Sequence, residues 1–455
     1  MTSTSQDQEH GIAPAAPPAP PRVRTEFTRR WTSRLVAFGE FIDGYDLLVM
    51  GAALLFLKPD FGLTATEVGW LGAIAFIGTA VGLVVFGDLS DRFGRKVIFV
   101  VNLVFFVVAS LASAFVTEVW QLMVARFFIG VAVGMDIPTS HAFLAEIAPK
   151  ARRGRVAGSL PNLMWLGGAI TSVLIALALG PHLGHDTWRW LFGLAALPAL
   201  AVLIARQFLP ESPRWLKAQG RHEEAKAVFE ALGVEEPKSA VPQGKRSYRD
   251  LFTKGAAVRL AVVTGFFAFQ SFGGAVATVA GPLVIESTGI GTENSLYFSL
   301  AGFCVGFLAV ALGARVIDRI NRRALGIWAC LGVFTAGVTL GLFGGRSATV
   351  LLIAYVCYSF LTWFGPGVLA WVWSSEAFPT QLRGLGSGIA QCVTRLMIAL
   401  NIVLVPTLLE RLELTTITLY ACSYLICAAI VALSPFLATT GRELEEVNAP
   451  RSVKA

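Results

Sequence analysis

The chain has 455 residues, 55% of them hydrophobic and only 15% charged, with a mean hydropathy of +0.65. That composition excludes an ordinary soluble domain, whose exterior needs far more charge. The net charge of +7 does not point to nucleic acid, because the basic residues sit in short loops between apolar runs and so report membrane topology.

Residues 1–32 are Ser/Gln-rich, then Ala/Pro-rich over Ala13–Pro21, then basic. They hold no apolar core with a cleavage site, so a disordered cytoplasmic tail is expected rather than a signal peptide. Six apolar runs follow near 34–57, 67–87, 96–117, 119–147, 156–180 and 187–209. Each is close to the roughly 20 residues that a helical span requires. A polar segment, 210–256, comes next; its charged/apolar alternation over His222–Leu232 predicts short amphipathic helices on the cytoplasmic face. Six more runs lie near 257–286, 294–316, 324–343, 348–376, 384–409 and 414–438, before a second tail at 441–455. The expected fold is an all-α membrane protein with twelve transmembrane helices in two six-helix bundles, 33–209 and 257–440. Alternate loops carry the basic residues, among them Arg92, Arg95, Arg153, Arg319 and Arg383. The positive-inside rule then places both termini and the central segment in the cytoplasm.

The halves repeat. Glu146 precedes Arg153 and Gly154 just as Glu376 precedes Arg383 and Gly384, 230 positions on. Asp91-Arg92 returns as Asp318-Arg319, 227 positions on. Near-equal offsets argue for duplication, a common transporter plan. The six cysteines all lie inside apolar runs of the second half and are expected as buried small residues.

Gly87–Lys96 reads GDLSDRFGRK between runs two and three. Its Asp88 and Asp91 are expected to face Arg92 and Arg95 across a turn at Gly94, forming a charge latch at the cytoplasmic mouth. These residues resemble the loop signature of the major facilitator superfamily. Pro210–Leu216, PESPRWL, with Glu211 and Arg214, is similar to the sugar porter branch and its organic-ion relatives, as are the Glu146/Arg153 and Glu376/Arg383 pairs. The resemblance runs from run one to run twelve. It implies alternating access between the bundles, with Asp88, Asp91, Arg92, Arg95, Glu146, Arg153, Glu211, Arg214, Asp318, Arg319, Glu376 and Arg383 bracing the cytoplasmic gate.

Ionisable groups inside a span are costly and usually functional. Run one places Glu40, Asp43 and Asp46 three apart, on roughly one helical face. Such carboxyls can exchange a proton as a cavity changes sides; the alternative for Glu40 and Asp43 is a solvated position at the cytoplasmic rim. The string Asp43-Gly44-Tyr45-Asp46 resembles aromatic acid:proton symporters, and Asp46 matches the proton-linked Asp of sugar porters. That likeness also implies a pair between Asp46 and Arg126 in run four. Asp136 and His141 flank Pro138 in the same run, with His141 expected as a satisfied polar group near the interface. Arg395 in run eleven resembles an Arg that faces substrate carboxylate in organic anion transporters; a guanidinium suits a carboxylate through two parallel hydrogen bonds. The alternative is a structural pair with a neighbouring helix.

Run seven departs from the sugar porter pattern. Only Gln270 stands where sugar porters place two Gln and an Asn, with Ser271 and Val276 at the other positions; Pro161 replaces another sugar-binding Gln, beside Asn162. Trp371 matches a sugar porter pocket Trp, and Trp363, Trp373, Tyr355, Tyr358, Tyr45 and Trp165 are further cavity candidates. The reading is a proton-coupled symporter of a small organic, aromatic carboxylate, with a sugar or polyol porter as first rival and an exporter of hydrophobic compounds as second. Asp46, Asp43 and Arg126 would couple protons; Arg395, Trp371, Gln270, Asn162 and Tyr45 would bind substrate. The partners expected are substrate, protons and the lipid of an inner membrane, around a monomer. No P-loop string, catalytic triad, metal cluster or nucleic-acid module is legible, so no cofactor, enzyme activity or direct ATP drive is expected.

Overall fold

The computed structural model describes residues 22–147, 159–233, 251–278, 281–286, 289, 291–317, 319–378 and 382–440. Six long helices form the first bundle: α1 (Arg22–Phe61), α2 (Ala65–Phe93), α3 (Arg95–Ala114), α4 (Val119–Ile147), α5 (Leu160–Leu183) and α6 (Thr187–Arg206). Two short helices follow, α7 (Pro213–Ala218) and α8 (His222–Leu232). The second bundle holds α9 (Lys254–Gly274), α10 (Gly281–Glu286), α11 (Thr292–Val316), α12 (Arg322–Phe343), α13 (Ala348–Thr362), α14 (Val368–Glu376), α15 (Arg383–Leu412) and α16 (Thr415–Leu433).

Ten segments are long and apolar enough to cross a membrane, and one of them, Leu160–Arg206, contains both α5 and α6. Helix α1 falls outside that set because Glu40, Asp43 and Asp46 interrupt it. With α1 included, twelve spans stand in two groups of six, as the hydropathy predicts.

Local chemistry explains several boundaries. Thr64 and Glu67 cap α2 reciprocally: the Thr64 N–H donates to Glu67 Oε2 at 2.9 Å, and the Glu67 N–H to Thr64 Oγ1 at 3.3 Å. Gly94, at φ +94°, turns the chain between α2 and α3 in a conformation that suits glycine. The repeat's counterpart, Asn321, instead caps α12, accepting from the N–H groups of Arg323 and Ala324. The PESPRWL string is a helix start, with Ser212 as N-cap accepting from the Trp215 N–H and Pro213 in the first turn.

Two expected runs are broken. Run seven is helix α9, a 3₁₀ turn at Ala275–Ala277, and α10. Gly273 and Gly274 end the first piece. The run at 348–376 is α13, a π-helical turn at Trp363–Gly367, and α14. Pro366 has no N–H for an α-helical bond, so the chain widens there. Helix α1 starts at Arg22, inside the segment expected as a tail. Cys304, Cys357 and Cys422 are exposed rather than buried, while Cys330 and Cys427 are buried; a thiol is apolar enough to face lipid.

The bundles meet where α2 lies along α15 and α5 along α11. Within the first bundle, α1 crosses α5 with backbones nearly touching. A Cβ on Gly44 would stand 2.0 Å from the Trp165 carbonyl oxygen, and one on Gly168 2.0 Å from that of Phe41. Small residues at such crossings allow close packing where no hydrophobic effect drives association. We expect Gly44→Ala to force α1 and α5 apart at a cost of about 1–3 kcal/mol, read as a lower melting temperature of the purified protein in detergent, with Gly167→Ala, whose Cβ has only the Phe41 ring at 3.6 Å, as the mild comparison.

Candidate functional site

The α1–α5 crossing holds the carboxylates of α1 in the middle of the first bundle. Asp46 is fully buried there and meets Arg126 of α4. Arg126 Nη1 donates to Asp46 Oδ2 at 2.6 Å, and Nη2 donates to the Asp46 backbone carbonyl at 2.9 Å. The guanidinium carbon also lies 5.2 Å from the centre of the Phe192 ring. Asp46 Oδ1 and Arg126 Nε have no hydrogen-bond partner among the described residues.

A second buried ion pair joins α6 to α4. Arg206, at the end of α6, donates from Nη1 to Asp136 Oδ1 at 2.6 Å and from Nη2 to the Val36 carbonyl at 3.1 Å. Asn102 Nδ2 donates to Asp136 Oδ1 at 2.7 Å, and Ser140 Oγ to Oδ2 at 2.8 Å. Gly39 makes room for it, since a Cβ there would stand 2.1 Å from Arg206 Nη2. The sequence reading did not single out Arg206. Its place near the end of run six, after an apolar stretch, was the available signal.

Glu40, Asp43 and Asp136 bring carboxylate oxygens within 4.8 Å of one another and are the one group of described residues that could approach a metal. Asp136 is already saturated by donors, so the group fits a metal poorly. Glu40 and Asp43 are buried, 6% and 4% exposed, and not at a solvated rim.

Between the bundles lies a cavity of about 930 Å³, part of it open to solvent. Four expected binding residues line it: Arg395, Trp371, Gln270 and Asn162. Tyr45 does not. Its hydroxyl donates to the Leu191 carbonyl on α6 at 2.8 Å, which turns the ring into the first bundle. Trp165 and Trp363 line the cavity, 5.7 Å apart. Tyr355, Tyr358 and Trp373 are core instead; Tyr358 donates to the Gly273 carbonyl and Trp373 to that of Leu437. Glu40, His141, Gln391 and Thr394 also line the wall. Gln391 and Thr394 were missed, although one turn and one position before Arg395 they share its surroundings. His141 is not a satisfied interface group. Its ring stacks on Trp371 at 5.0 Å and 2°, joining α4 to α14 across the bundle boundary. Arg395 makes no hydrogen bond or ion pair with a described residue, and feels Glu40 and Asp43 only at longer range.

Of the expected gate, Glu211 accepts from the backbone N–H groups of Arg95, at 2.9 Å, and Lys96, fastening the central segment to the start of α3. A carboxylate suits a helix N-terminus. Glu376 pairs with Arg322, whose Nη1 stands 2.5 Å from Oε2. Arg92, Arg214 and Arg319 are exposed. The side chains of Asp88, Asp91, Glu146 and Arg383, and the whole of Arg153 and Asp318, lie outside the described residues.

The buried Arg206–Asp136 pair gives a stability test. Arg206→Met leaves Asp136 as a buried uncompensated charge, an expected loss of about 3–5 kcal/mol. Adding Asp136→Leu recovers most of it, as a double-mutant cycle on unfolding in micelles would measure.

The chain was compared with known proteins. The family described as "Sugar (and other) transporter" matches residues 32–450. The "Probable metabolite transport protein CsbC" of Bacillus subtilis is 30% identical over 442 residues, covering 91% of this chain and 92% of that protein. The D-xylose transporter of Levilactobacillus brevis is 28% identical over 446 residues, covering 92% and 94%. Among solved structures, the proton:xylose symporter XylE of E. coli superposes with a TM-score of 0.75 at 23% identity, covering 93% of this chain and 99% of that one.

Proposed function

Since the chain belongs to the sugar (and other) transporter family, we propose that this multi-pass membrane protein is a proton-coupled symporter of a sugar or polyol, working by alternating access. The observation that carries the reading is the cavity between the bundles. It is lined by amides and hydroxyls from both halves, Asn162 on one side and Gln270, Ser271, Thr362, Gln391 and Thr394 on the other, beside Trp371. Hydroxyl-rich substrates need that kind of wall, each well-placed hydrogen bond contributing on the order of 1 kcal/mol. The sequence argument against a sugar counted the donors lost from runs five and seven. The wall draws on α13 and α15 as well, which offsets that loss.

The coupling follows from the buried pair. With Asp46 ionised, Arg126 is held by charge and by hydrogen bonds to its side chain and backbone. A proton on Asp46 removes the charge attraction and leaves Arg126 free to seek another acceptor, so the proton state biases how α1 and α4 pack. Asp43, one turn earlier on α1, is a further carrier of an exchangeable proton. Glu211, Glu376 and Arg322 hold the loops and helix ends on the side of the central segment, which the loop charges assign to the cytoplasm together with both termini.

A second reading is favoured by one observation: Arg395 faces the cavity without an ion partner among the described residues, as a site for an organic carboxylate would require.

Uptake by the purified protein in liposomes separates the readings, with pentoses, hexoses, polyols and aromatic and aliphatic acids each tested with and without an inward proton gradient. The expected result is gradient-driven uptake of a neutral sugar or polyol. Asp46→Asn then abolishes accumulation but leaves exchange of substrate across the membrane. Arg395→Ala raises KM by about tenfold, the scale of one hydrogen bond to a charged group at about 1.5 kcal/mol. Uptake confined to carboxylates and lost in Arg395→Ala would move the chain to the second reading.

A further inference from the structure

The three clustered carboxylates, Glu40, Asp43 and Asp136, are not equivalent. Both oxygens of Asp136 are engaged, Oδ1 by Asn102 and Arg206, Oδ2 by Ser140 and, at 3.5 Å, Arg206. Glu40 Oε1 and Asp43 Oδ2 are buried and accept no hydrogen bond. They lie one helical turn apart on the same side of α1, and their carboxylate oxygens lie within 4.8 Å of each other and of Asp136.

The charged groups around them leave a surplus. From α4 come Asp136, already neutralised, and His141, whose Nε2 is 3.3 Å from Glu40 Oε1 without the alignment of a hydrogen bond. From α6 comes Arg206, committed to Asp136 and the Val36 carbonyl. From α15 comes Arg395, which attracts both carboxylates but closes no ion pair with either. Two carboxylates thus share one remote guanidinium. Two like charges this close and this deeply buried cannot both be held, and they titrate as a pair.

We propose that Glu40 and Asp43 share one exchangeable proton, a second proton-carrying site on α1 separate from the Asp46–Arg126 pair. Its role in coupling rests on the symporter reading above. Glu40 lines the cavity, so cavity water delivers and accepts the proton. His141 links the pair to Trp371 in the opposite bundle, so the charge of the site acts where the bundles meet. A metal ion is the poorer occupant: Asp136 has no oxygen to spare and two guanidiniums flank the site.

The test needs no substrate. Infrared difference spectra of the full chain in liposomes, recorded across steps in pH, report the C=O stretch of protonated carboxyls. The expected result, beside the band of Asp46 that Asp46→Asn removes, is one band that titrates with pH and shifts when the wild-type protein carries carboxyl-labelled glutamate and, separately, carboxyl-labelled aspartate. Glu40→Gln and Asp43→Asn each remove it entirely, because the remaining carboxylate is balanced by Arg395. Asp46→Asn leaves it. Loss of half the band in each variant would mean two independent carboxyls and overturn the proposal. So would the absence of any titrating band beyond that of Asp46, an additional band that only one label shifts, loss of the additional band in Asp46→Asn, or its displacement by sodium at constant pH. The labelling arms use unaltered protein, so misfolding of a variant does not blunt the test. Failure here leaves gradient-driven uptake through Asp46 intact, whereas failure of the uptake panel leaves this band unexplained but present.

Discussion

A charge in the interior of a membrane protein must be answered by another charge or by hydrogen bonds, because the surroundings supply neither water nor counterions. The first bundle is built around that constraint. Arg126 answers Asp46 and Arg206 answers Asp136, each pair joining helices that are distant in sequence. Arg206 also takes the Val36 carbonyl, so one guanidinium fastens α6 to both α4 and α1. Glu40 and Asp43 are the groups this pairing leaves over, and Glu40 lines the cavity.

The second bundle solves a different problem. It has one deeply placed cation in the cavity wall, Arg395, and otherwise meets the cavity with amides, hydroxyls and aromatic rings. Its helices are the broken ones. The π-helical turn at Trp363–Gly367 and the interruption after Gly274 both fall at the cavity, where irregular backbone is tolerated because protein rather than lipid surrounds it. One half carries the buried carboxylates, and the other carries shape and hydrogen bonds. The stack of His141 on Trp371 is where the two meet.

The duplicated motifs have diverged in how they are held. Gly94 turns the chain in the first copy while Asn321 caps a helix in the second. Glu211 anchors the α3 start from outside the repeat, whereas Glu376 is met by Arg322 from the second loop itself. Sequence likeness between halves predicts that charges occur at both gates, but not which partners they choose.

Span number, the division into two bundles, the carboxylates of run one and the membrane cations Arg126 and Arg395 were legible in the sequence alone, because hydropathy and the cost of buried charge act residue by residue. Which residues face the cavity was not. Tyr45 and Tyr358 turn to carbonyls of neighbouring helices, His141 turns to Trp371, and Gln391 and Thr394 join Arg395 in the wall. Those outcomes depend on helix rotation, which is set where α1 meets α5 at Gly44 and Gly168 and where the bundles touch. The proposed substrate class moved for the same reason: a count of donors lost from two helices cannot see the donors that other helices contribute to a shared wall, and only packing brings them to one place.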